Sequence, residues 1–243
     1  MTHSVYLRYE VLRNFRDWRY LIFSFVFPLV LFFVVASVNR QHSFDGIAFP
    51  LYFMTAMATL GTMSVVISSG ARIAAERAAG WTRQLRITPL RPSTDLAAKV
   101  VCAYLIVVPT LVLLYLAGAS LGVRLAASQW LEMTGLILAG LVPFVILGFV
   151  LGYLLPVDAM TPALGGIVVL FSLFGGVYGF ELAKSGPMFD VMKALPSYWL
   201  VQAGKTAFGG GSWPAQGWIV IAAWTAVLVG AATLAYRRSA VRG

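Results

Sequence analysis

One long polar stretch, residues 71–99, interrupts a chain that is otherwise a succession of apolar runs. The runs on either side of it are each long enough to cross a bilayer, which takes roughly 20 apolar residues in a helix. The chain is 60% hydrophobic and 11% charged over 243 residues, whereas a soluble domain is about a quarter charged. Little remains for a soluble domain once the apolar runs are counted. The reading is therefore a single membrane domain, residues 1–243, all-α and polytopic.

Six transmembrane helices are expected. The first, residues 20–38, follows a long polar region and exceeds the length of a signal-peptide core, so it reads as a retained anchor. Pro28 inside it removes a backbone donor and is expected to kink it. The second runs over 50–70, with Pro50 suited to a first helical turn. The third follows a Ser93 cap, with Asp95 in its first turn and Pro109 as a further expected kink, and ends near residue 122. The remaining three occupy 130–155, 161–180 and 217–236. Ahead of the first span, residues 1–19 read as an amphipathic interfacial helix, since Leu7, Val11, Phe15 and Trp18 recur at helical spacing opposite Glu10, Arg13 and Asp17. Residues 181–216 are too apolar for a free loop, with Pro187 and Pro196 breaking any long helix there.

The cations sit in the short connections, where their bias sets orientation. With both termini in the cytoplasm, thirteen fall inside: Arg8, Arg13, Arg16, Arg19, then Arg72, Arg77, Arg83, Arg86, Arg91 and Lys99, then Arg237, Arg238 and Arg242. Five fall outside: Arg40, Arg124, Lys184, Lys193 and Lys205. That placement accounts for the net charge of +9 without a nucleic-acid partner.

No catalytic or metal-binding constellation is visible. His3 and His42 are the two histidines and fall on opposite sides of the expected membrane. The spans hold almost no titratable groups, which argues against a proton-coupled carrier. Glu132 and Asp158 stand near span ends as ordinary interfacial residues, and Cys102 reads as a buried structural thiol. Ala203-Gly204-Lys205-Thr206 ends like a phosphate-binding loop, but Trp199 occupies the position of that motif's first glycine. Gly118 with Gly122, and Gly148 with Gly152, have the spacing that lets helices approach closely.

Within the polar stretch, Glu76, Gly80, Gln84, Leu85, Thr88, Pro89 and Leu90 match an acid, a glycine, the Gln-Leu of a Thr-x-x-Gln-Leu and a Thr-Pro-Leu. This resembles the segment between the second and third spans of type-2 ATP-binding-cassette (ABC) exporter permeases, in the drug- and antibiotic-export-like branch. Ala79 stands where many members carry a second acid. Leu195-Pro196-Ser197-Tyr198-Trp199-Leu200, with Lys205 beyond it, resembles the family's Leu-Pro motif before the last span.

The resemblance implies a non-catalytic permease in the plasma membrane, half of a homodimeric pore, docked to two copies of a separate ATPase subunit that carries ATP and Mg. Residues 71–99 would form the cytoplasmic coupling loop, with Glu76, Arg77, Gly80, Trp81, Thr82, Gln84, Leu85, Thr88, Pro89 and Leu90 at the ATPase contact. A helix bearing Trp81, Leu85 and Ile87 among arginines suits a protein cleft with an acidic rim better than lipid. Residues 181–216 would form short re-entrant helices in the outer leaflet. The expected cargo is a lipophilic or amphipathic small molecule. By analogy Phe23, Phe27, Met54, Met57 and Phe174 line its path, being large or flexible apolar residues. The competing readings are export of a lipid-linked polysaccharide and a membrane-embedded lipid-modifying enzyme; the lack of clustered acids or a Ser, His and Asp set counts against the second.

Overall fold

The computed structural model describes residues 11–12, 18–44, 46–80, 92–177, 185–206 and 212–241. Within them the chain is helical apart from a hairpin of two-residue strands, β1 (Ser43–Phe44) and β2 (Ile47–Ala48), paired antiparallel. The helices are α1 (Trp18–Val38), α2 (Phe49–Ala78), α3 (Pro92–Ser120), α4 (Ala127–Gly140), α5 (Val142–Leu154), α6 (Val157–Gly175), α7 (Pro187–Lys193), α8 (Pro196–Lys205) and α9 (Ala215–Val241). Five stretches of the described residues are long and apolar enough to cross a membrane: α2, Thr94–Ser120 in α3, Ala127–Leu154 spanning α4 and α5, α6, and Ala215–Tyr236 in α9. The expected first crossing is present as the helix α1. Its side chains are described from Phe25 onward, and the apolar part so described, Phe25–Val38, falls short of a span. The expected N-terminal interfacial helix lies almost wholly outside the described residues.

Several helix ends differ from expectation for local reasons. The polar composition begins at Ala71, yet α2 runs on to Ala78. Its 30 residues reach about 45 Å, roughly 15 Å beyond the hydrocarbon core, so the polar end of α2 projects past the apolar layer as helix. Helix α3 opens at Pro92, which puts Ser93 inside the first turn instead of at the cap, while Asp95 holds its expected first-turn place. The expected fourth span is two helices: α4 closes at Gly140, Leu141 turns, and α5 starts at Val142 with Pro143 in its first turn. Pro187 and Pro196 likewise begin α7 and α8, where a missing N–H costs nothing. Pro28 and Pro109 stay within continuous helices. Helix α6 stops at Gly175, short of the expected 180, because Gly176 takes φ 77°.

Helix α2 is the centre of the bundle and packs on α5, α3, α1, α6 and α8. Its contact with α5 is backbone to backbone. A Cβ added to Gly148 would stand 2.6 Å from the Ile67 carbonyl oxygen, and one added to Gly70 would collide with the Gly148 carbonyl. Gly152 faces Gly70 in the same way. The Gly148/Gly152 pair thus has the close-packing role its spacing implies, with Gly70 as partner. The other pair divides: Gly118 makes room for Met54, whereas Gly122, at φ 95°, is the turn after α3. Along α2, Thr55, Thr59, Thr62, Ser64, Ser68 and Ser69 each donate to a carbonyl three or four residues back, at 2.6–3.0 Å. Each of these hydroxyls is thereby satisfied inside its own helix.

The short helices α7 and α8 are tied down by indoles. Trp199 Nε1 donates to the Lys193 carbonyl and Trp224 Nε1, from α9, to that of Ala194, both at 2.8 Å. These are the end carbonyls of α7, which have no partner within it. The Gly204-Lys205-Thr206 sequence closes α8, with Gly204 seated on Thr55. A phosphate loop instead presents N–H groups at the start of a helix.

Candidate functional site

Three charged residues are buried among the described ones, Glu76, Asp95 and Lys99, and they lie together. Because α2 continues past the apolar layer, Glu76 sits in its last turn facing the start of α3. There Asp95 and Lys99, four residues apart, share one helix face. Lys99 Nζ stands 2.9 Å from Glu76 Oε2 and 2.7 Å from Asp95 Oδ1. The ammonium lies between the two carboxylates, so each buried group has an oppositely charged partner, and removal of one partner strands the charge of the others. The cluster therefore joins the end of α2 to the start of α3, at the base of residues 79–91.

The neighbouring cation makes a different bond. Arg77 Nη1 donates to the carbonyl oxygens of Gly152 at 2.7 Å and Leu155 at 3.3 Å. Those carbonyls end α5, where the last turn lacks intrahelical donors and the helix dipole is negative, so a guanidinium is favoured there. Between them in sequence, Tyr153 meets Tyr236 of α9 edge-on, with ring centroids 5.6 Å apart. Ends of α2, α3, α5 and α9 converge on this one region.

Of the expected ATPase-contact residues, Glu76 and Arg77 point into the bundle, and Gly80, at φ 71°, turns the chain after α2. Trp81, Thr82, Gln84, Leu85, Thr88, Pro89 and Leu90 lie outside the described residues. The described members of the expected pathway set do not share a surface. Met54 and Met57 are fully inside the protomer, Phe27 is exposed on α1, and Phe174 is half-buried on α6. Phe23 belongs to α1, with its side chain outside the described set. Glu132 and Asp158 are exposed and Cys102 is buried, as expected.

Sequence reasoning passed over Lys99 and Asp95 as site residues, treating one as topological charge and the other as a partner of the helix dipole. Their i, i+4 spacing at a helix start was the available signal. Nothing comparable marks the acceptors of Arg77, which are backbone oxygens.

Membrane-length helices whose buried ions, among the described residues, lie only at one end define a multi-pass α-helical membrane protein. The chain belongs to the ABC-2 type transporter family, whose pattern its residues 4–208 match. It is also similar to the protein named Putative transport permease YvfS from Bacillus subtilis (strain 168), at 28% identity over 208 residues, covering 84% of this chain and 81% of the other. It is thus a transmembrane permease component of an ABC transporter, of a family that normally partners with an ATPase subunit.

Proposed function

We propose that this chain forms half of a homodimeric exporter, docks one ATPase subunit through residues 71–99, and moves a lipophilic or amphipathic small molecule outward across the plasma membrane. ATP and Mg are bound by the two ATPase subunits and not by this chain. Both termini face the cytoplasm, α1 completes six crossings, and α7 and α8 occupy the outer leaflet as re-entrant helices. The observation that carries the reading is the distribution of charge: buried ions lie only at the base of residues 79–91 among the described residues. A cargo passing helices with no counter-charge has to be apolar or amphipathic, since an unpaired charge at membrane depth costs at least about 2.5 kcal/mol.

The deciding experiment is co-purification of the permease with its ATPase, followed by ATPase assays across candidate cargoes. Leu85→Asp is expected to abolish co-purification or transport while the permease still inserts; unchanged coupling would remove residues 79–91 from the contact. Stimulation by lipid-linked saccharides in place of lipophilic compounds would reassign the cargo. Alanine at Phe23, Phe27, Met54, Met57 and Phe174 in turn is expected to shift the cargo profile more than basal ATPase, and five unaltered profiles would move the path elsewhere.

A further inference from the structure

Glu76 and Arg77 come to the site as expected ATPase contacts, yet the geometry turns both inward. Glu76 is 7% exposed and bonded to Lys99, and Arg77 reaches carbonyls of α5. A residue so committed is poorly placed to meet another subunit. We propose that Lys99, with Glu76 and Asp95, is a clasp that closes the base of residues 79–91, and that Arg77 carries the clasp's position to α5. These are positioning residues: a push received by the segment moves α2, α3 and α5 as one unit. The proposal rests on the reading that an ATPase docks on the 71–99 loop, and takes residues 79–91 as the part of it that meets the ATPase, since Glu76, Arg77, Asp95 and Lys99 are turned inward.

Three features support transmission over simple stability. The clasp joins helix ends, which otherwise fray, instead of helix middles. It stands beside the seam where Gly70 meets Gly148 and Gly152 backbone to backbone, so displacement at Glu76 has no compressible layer in which to dissipate. The carbonyl of Gly152 accepts from Arg77 while that same glycine packs on Gly70, so one residue of α5 receives both contacts.

The test uses the full permease co-purified with its ATPase. Lys99→Met is expected to keep the ATPase bound and its basal turnover, while transport per ATP hydrolysed falls about tenfold, within the range of ordinary coupling energies. Lys99→Arg, which keeps a cation for both carboxylates, is expected to restore it. Amide hydrogen exchange on the permease alone in detergent gives a second measurement: Lys99→Met, and the isosteric Glu76→Gln, are expected to speed exchange at residues 72–78 and 95–99 while α4 is unchanged. Unaltered coupling in Lys99→Met, equal loss in Lys99→Arg, or exchange that rises throughout the bundle in both variants would overturn the clasp. A wild-type permease that fails to hold the ATPase counts against the docking reading instead, and the exchange comparison still decides the clasp.

Discussion

Helices α2 and α6 are both of membrane length, yet α2 is the most buried span of the bundle and α6 the most exposed. Composition runs opposite to what a water-soluble protein would show. The buried helix carries Thr55, Thr59, Thr62, Ser64 and two packed glycines, Gly61 against Pro28 and Gly70 against Gly148. The exposed one shows Val169 and Leu170 outward, and its Gly165 and Gly166 have no neighbour that a Cβ would meet. Lipid tails are as apolar as leucine, so burying leucine against protein gains little over leaving it in the bilayer. Close approach through small residues, with hydroxyls satisfied locally, is what favours one helix over another as the centre.

The comparison can be broken most forcefully at the seam. Gly70→Leu drives a side chain into the α5 backbone, which cannot move aside as a side chain would, and is expected to destabilise by more than about 3 kcal/mol. Loss of monodisperse protein in detergent chromatography is the readout, and a normal elution profile would show that α2 and α5 can separate. Next is Phe144→Ala. Phe144 is fully buried and meets Phe171 of α6 edge-on at 5.3 Å, one of the contacts that hold α6 to the bundle. A loss of about 3 kcal/mol, read as a lowered unfolding temperature, is expected.

Two smaller effects sharpen the contrast. Thr59→Val preserves shape and removes a hydroxyl bonded only within its own helix, so a change within about 0.5 kcal/mol is expected. A cost equal to that of Phe144→Ala would mean the hydroxyls of α2 hold more than their own turns. Gly165→Ala on α6 meets open space and should leave the unfolding temperature unchanged or raise it, by up to about 1 kcal/mol, from helix propensity alone. A lowered temperature would reveal a partner on that face.

The helices were legible in the sequence more fully than the site. The apolar runs became α2, α3, α4 with α5, α6 and α9, and the expected short helices before the last span are α7 and α8. The errors fell at ends. Ser93 looked like a cap because its type favours one, but Pro92 opens the helix before it. The polar composition at Ala71 looked like a loop, but arginines, alanines and Glu76 are good helix formers outside the membrane, so α2 continues. For the site, Glu76 and Arg77 were recognised as belonging to a functional segment, while their direction was not.

The sequence alone determined that this chain crosses membranes, roughly where it does so, and where its charge concentrates. Membrane partition depends on the summed hydropathy of about 20 adjacent residues, a local property readable from a one-dimensional string. The tertiary structure alone decided that Gly70 meets Gly148, that Lys99 stands between Glu76 and Asp95, and that Arg77 ends α5. Each of those depends on how segments distant in the chain cross, and several of the partners are backbone atoms that every residue carries and no side chain announces.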